Sequence, residues 1–140
     1  MAKYLSFDVG SKTIGIAKSD GLIASVLTTI RFPEDDFVTA VEMLRPIIEE
    51  QNPSIIVVGW PKNMNGTEGH RVQMVEDFIV HFDREFHHLE IKKTDERLTT
   101  RMARSIMIET NASRKKQKAN KDNVAAVLIL ETYLSYEKNQ

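Results

Sequence analysis

The chain has 140 residues, 41% of them hydrophobic and 28% charged, with a formal net charge of −1 and no cysteine. This length fits one domain, residues 1–140, and the composition excludes collagen-like and disordered classes. Without cysteine, disulfides, thiolate metal centres and thiolate nucleophiles are excluded as well. No stretch is long enough to span a bilayer and Met1-Ala2-Lys3-Tyr4-Leu5 has no apolar signal core, so the expected location is the cytoplasm. The near-neutral total hides a polarity. Residues 92–121 hold ten Lys/Arg against three acids, a balance of +7, while the remainder holds nine basic and seventeen acidic residues, a balance of −8. Such an asymmetry is expected where one face meets a polyanion.

Three extended segments come first, near 3–8, 13–18 and 23–31, joined by a turn at Gly10 and by Ser19-Asp20-Gly21. Connections this short imply an antiparallel meander. Phe37, Val41, Leu44 and Ile48 then recur at helical spacing up to Gln51-Asn52-Pro53, and Pro46 predicts a kink or an early break inside that helix. Ile55-Ile56-Val57-Val58-Gly59 is a short unbroken apolar run, as in a parallel strand covered on both faces.

A polar loop, Lys62 to Gly69, carries the Asn65-Gly66 turn signal, and Val72, Val75, Ile79 and Phe82 mark a second amphipathic helix. Leu89-Glu90-Ile91-Lys92 reads as a fifth strand; Leu98, Met102 and Ile106 continue as a third helix. Asn111–Lys121 is a basic loop, and a last helix begins near Asp122 with Val124, Val127, Leu128, Leu130 and Leu134. The order predicts an α/β fold: a five-stranded mixed sheet, three antiparallel strands and then two parallel, with helices on both faces.

Three carboxylates stand at element ends. Asp8 closes the first strand beside the Gly10 turn, where a ligand can approach the main chain, although an ordinary hairpin in which Asp8 accepts turn hydrogen bonds accounts for it equally well. Asp95 and Glu96 follow the fifth strand; they suit an N-cap and a first-turn acid as well as a ligand set. Asp122 starts a helix face continued by Ala125, Ala126 and Ile129, and a capping role is open to it too. Strand ends on one sheet edge converge in space. Three acids there would suit one or two Mg²⁺ or Mn²⁺ ions, because the donors are oxygens and His70, His81, His87 and His88 lack ligand spacing.

Arg97, Arg101 and Arg104 form one helical stripe that leads into Arg114-Lys115-Lys116-Gln117-Lys118 and Lys121. With few interleaved acids, the stripe favours phosphate contact over a merely solvated face.

Four motifs then appear in order: Asp8-Val9-Gly10-Ser11-Lys12-Thr13-Ile14-Gly15-Ile16-Ala17, Val57-Val58-Gly59-Trp60-Pro61-Lys62-Asn63-Met64-Asn65-Gly66, Asp95-Glu96-Arg97-Leu98-Thr99-Thr100, and Asp122-Asn123-Val124-Ala125-Ala126 with Ile129-Leu130 and Tyr133-Leu134. On these residues the chain resembles the YqgF family, also called RuvX, over nearly its whole length. The resemblance implies an RNase H-like fold and a metal-dependent nuclease acting in 5′-end processing of pre-16S ribosomal RNA. It implies Asp8, Glu96 and Asp122 as catalytic and metal-binding acids, with Asp95 in support. Many RNase H relatives carry an acid at the end of the fourth strand, where this chain has Gly59-Trp60-Pro61. Lys62 and Asn65 also depart from the family's usual apolar residue and Asp.

The expected partner is structured RNA, contacted by Lys12, Arg97, Arg101, Arg104, Arg114, Lys115, Lys116, Lys118 and Lys121. Lys12 and Arg97 are the candidates to steady the scissile phosphate. A four-way DNA junction is the alternative substrate, although paired incisions need a dimer and the sequence declares no dimer surface, so a monomer is expected. A sugar-kinase-like ATPase would need a second domain, and a non-catalytic RNA-binding assembly factor would not bind Mn²⁺.

Overall fold

The computed structural model describes residues 3–61, 70–95 and 121–138, with side chains over 3–61, 71–95 and 124–135. Its elements are β1 (Tyr4–Val9), β2 (Thr13–Ser19), β3 (Ala24–Arg31), α1 (Phe37–Gln51), β4 (Ile55–Trp60), α2 (His70–Glu85), β5 (Glu90–Asp95) and α3 (Lys121–Lys138). The strands form one sheet in the order β3-β2-β1-β4-β5. β1–β2 and β2–β3 are antiparallel; β1–β4 and β4–β5 are parallel. The mixed sheet expected from the segment order is therefore present. The predicted third helix, the Lys62–Gly69 loop and the Asn111–Lys121 loop up to residue 120 lie outside the described residues.

Period-two alternation sorts the strand residues onto two faces. Phe7, Val9, Ile14, Ile16, Ile56, Val58 and Trp60 face α1 and α2 in the larger core cluster. Ala17 and Val57 face α3, packing with Ala126, Ile129, Leu130 and Leu134. The continuous apolar run of β4 is explained by this arrangement, since Ile56, Val57 and Val58 are all buried although they point to alternating sides.

The centre of the larger cluster is aromatic. Phe78 packs against Phe7, Phe37 and Phe82 with ring centroids 5.7 to 5.9 Å apart, and Phe82 packs edge-on against Phe7 at 5.5 Å. Phe78 adds to the periodic positions that mark α2 in the sequence, Phe86 stands just past its end, and both are buried.

Asp36 caps α1, its carboxylate accepting from the Thr39 amide at 3.2 Å and from the Thr39 hydroxyl at 2.7 Å. At the other end Asn52 adopts a left-handed conformation, φ 49°, and its amide donates to Ile48 O. The helix runs unbroken through Pro46. Proline removes the bond to the carbonyl of residue 42, but Glu42 and Pro46 both lie on the exposed side, where water can satisfy that carbonyl. Of the kink or early break expected from the sequence, the break does not occur.

Candidate active site

Asp8 stands half-buried at the carboxyl end of β1, on the α3 side of the sheet. Its cross-strand partner on β2 is Gly15. On the other side, Phe7 pairs with Val58, so Asp8 is level with Gly59 one residue further on. The residues level with it on both neighbouring strands, Gly15 and Gly59, thus carry no side chain, and both are buried. Gly59 occupies the strand end where many RNase H relatives have an acid.

The turn after β1 is tightly held. The Gly10 amide donates to Thr13 O at 2.8 Å, and a Cβ on Gly10 would come within 3.2 Å of that same oxygen. The Phe32 amide donates to Lys12 O and the Asp35 amide to Ser11 O. These bonds fix the backbone that carries the exposed Lys12 at the same sheet edge as Asp8.

α3 runs antiparallel to β1. The Tyr4 ring meets Tyr133 at 6.1 Å, whereas two residues further along β1 the Ser6 hydroxyl donates to Ala126 O at 2.6 Å. From that bond Asp8 is two strand residues onward, roughly 7 Å, and Asp122 is four helix residues back, roughly 6 Å, in the same direction. The start of α3, with Lys121 and Asp122, therefore lies at the edge where Asp8 ends its strand. The face of α3 against the sheet is centred on Ala126, Ile129 and Leu130; Ala125 is only half-buried, so the close approach rests on one of the two alanines named from the sequence.

Asp95 is the last residue of β5. It pairs with Trp60, which faces the α1/α2 side, so alternation sends Asp95 to the opposite face from Asp8. The sheet edge brings the two residues close in level but not onto one side. Glu96, Arg97, Arg101, Arg104, Arg114, Lys115, Lys116 and Lys118 lie outside the described residues. Among the described residues, no three His, Asp or Glu side chains gather as a metal cage. His87 and His88 are exposed, and a His81 ring nitrogen lies 2.9 Å from Asp77 O in its own helix.

A pocket of about 430 Å³ sits at the other end of β1, lined by Lys3, Tyr4, Lys18, Asp20, Leu22 and Ile23 among others. Asp20 is its one acid and accepts a turn bond from the Leu22 amide. It lacks the carboxylate set. Ser6 was not singled out in the sequence, although a hydroxyl inside the apolar run Leu5-Ser6-Phe7 is a signal that a buried partner exists.

Sheet order, strand directions and a carboxylate closing the central strand define the RNase H-like class. In keeping with this, the fold superposes on T. thermophilus RuvC in complex with a Holliday junction substrate with a TM-score of 0.61, at 12% identity, over 97% of this chain and 96% of that one. Residues 2–136 match the model of the RuvX family, described as Holliday junction resolvase, and the chain belongs to that family. A relative from Mycoplasma capricolum subsp. capricolum named "Putative pre-16S rRNA nuclease" is 50% identical over 137 residues, covering 96% of each chain. A Mesoplasma florum protein of the same name is 48% identical over 137 residues, again covering 96% of each.

Proposed function

We propose that this chain is a divalent-metal-dependent nuclease that hydrolyses phosphodiester bonds of structured RNA, in maturation of the 5′ end of pre-16S ribosomal RNA. The observation that carries this reading is the glycine-flanked Asp8 at the edge where α3 begins with Asp122. The relatives' name supplies the substrate.

The donors fit a hard cation: they are carboxylate oxygens, the chain has no cysteine, and glycines stand level with Asp8 on both flanking strands. What Mg²⁺ or Mn²⁺ would supply at such a site is a lowered pKa for a water and charge neutralisation at the leaving oxygen. Asp8, Glu96 and Asp122 would hold it. Asp95 is the weaker candidate because it stands on the other side of the sheet, which favours its neighbour Glu96 as the second acid. Lys12 and Arg97 would hold the scissile phosphate in place, and Arg101, Arg104, Arg114, Lys115, Lys116, Lys118 and Lys121 the flanking backbone. In this reading the chain acts as a single-domain monomer in the cytoplasm.

The description of the family model favours a second substrate, a four-way DNA junction. One experiment separates the two. Labelled precursor RNA and a labelled junction are each incubated with the protein and Mn²⁺, with EDTA, and with Asp8→Asn. Cleavage of RNA alone, abolished by EDTA and by the substitution, is the expected result. Junction cutting without RNA cutting would overturn the substrate, and RNA cutting that survives EDTA and Asp8→Asn would overturn the site.

A further inference from the structure

The last residue of β4 carries an indole, and that indole holds a cation. Lys93 Nζ lies 4.1 Å from the centroid of the Trp60 ring, within the range of an attractive cation–π contact. Trp60 itself is buried, 8% exposed, and is fixed in the larger core cluster, so its ring is a rigid support. Lys93 is exposed. Its neighbour Lys92 is neutralised by Glu90 at 2.8 Å, whereas no carboxylate lies within ion-pair distance of Lys93 among the described residues.

The register locates this charge. Lys93 pairs with Val58, which pairs with Phe7, the residue before Asp8. Two strand spacings, about 10 Å, separate it from β1. Lys93 is on the α1/α2 side and Asp8 on the α3 side, so the two residues border the carboxyl edge of the sheet from opposite faces.

We propose that Lys93, positioned by Trp60, binds a backbone phosphate of the substrate strand next to the one being cut, so that the strand crosses the carboxyl edge from the Asp8 side over the end of β4 to the Trp60 side. This rests on the reading of the chain as a nuclease. A lysine lying free on a surface loses rotamer entropy when it takes up a phosphate; one already held over an indole loses less. The contact is to the backbone, so it adds affinity without sequence preference.

The test measures binding of labelled precursor RNA against salt concentration, with cleavage kinetics in Mn²⁺. Lys93→Gln is expected to reduce the slope of log K against log salt by about 0.7 to 0.9 units, the value of one phosphate contact, and to raise KM more than it lowers kcat. Lys93→Arg is expected to restore the slope. Trp60→Phe, which keeps an aromatic face of lower attraction, is expected to raise KM in the same direction by less. Lys92→Gln, whose charge Glu90 already balances, is the control and should leave the slope unchanged. A Lys93→Gln slope equal to the parental one, or a Lys92→Gln loss of the same size, overturns the proposal while leaving the nuclease reading intact. A parent protein that neither binds nor cuts the RNA overturns that reading instead.

Discussion

Ser6 and Ala126, 120 positions apart in the chain, are joined by a buried hydrogen bond of 2.6 Å from the serine hydroxyl to the helix carbonyl. The bond links the strand that ends in Asp8 to the helix that starts with Asp122, and so sets how far the one slides along the other. Ser6→Ala leaves the carbonyl with its helical partner, so the expected cost in a urea titration is about 1 kcal/mol. If the bond holds the two acids in register, the same variant loses cleavage rate while keeping its affinity for RNA. Unchanged turnover and affinity beside the lowered stability would show that the bond serves stability alone.

Carboxylates gathered at one sheet edge repel one another when no metal is bound. Asp8→Asn and Asp122→Asn are therefore each expected to raise the thermal midpoint in EDTA and to abolish the further rise produced by Mn²⁺, which for the parent follows mass action. Variants that melt lower in EDTA and still respond to Mn²⁺ would place the ion elsewhere.

Phe78 is fully buried between β1, α1 and the rest of α2. Phe78→Ala should destabilise the protein by about 3 to 5 kcal/mol, a transfer loss plus a cavity the surrounding rings cannot fill. Fluorescence of the chain's single tryptophan, Trp60 in the same cluster, reports the unfolding transition.

Burial raises the Glu131 carboxyl above its ordinary range, with desolvation the cause. The folded state thus holds a proton more tightly than the unfolded state. The resulting penalty is fully present above the folded pKa and fades as pH falls through the ordinary carboxylate range. Glu131→Gln should raise the thermal midpoint at pH 7 and lose that advantage near pH 4. An advantage that is constant across this range would trace to packing instead of charge.

The meander, both helices of the α1/α2 layer and the buried strand β4 were legible in the sequence, because each depends on spacing within a short window. Side-of-sheet assignments were not. Asp95 follows a strand-like run, which by itself does not say which side of the sheet it faces. Its true position depends on β5 extending to residue 95 in register with Trp60, a contact between distant segments. Pro46 is a related case: the helix continues through it, since whether a proline breaks a helix depends on whether the freed carbonyl meets water. Gly59 looked like a missing acid; only the β1–β4 register shows it to stand level with Asp8. Of the candidate site, Asp8, Lys12, Asp95, Lys121 and Asp122 could be located, and the central basic stripe lies beyond the described residues.

The two apolar clusters are unequal among the described residues: α1 and α2 share the larger, and α3 holds the sheet through the smaller. Elements with less buried apolar contact open more readily than the rest of a fold. Warming should therefore lift α3 from the sheet while the aromatic layer stays closed. Catalysis would then fail several degrees before the molecule melts, and amides of residues 124–135 would exchange with deuterium ahead of those in β1 and β4. Heat inactivation in this protein would be the undocking of one helix, reversible on cooling, with Asp8 still in its place on the sheet.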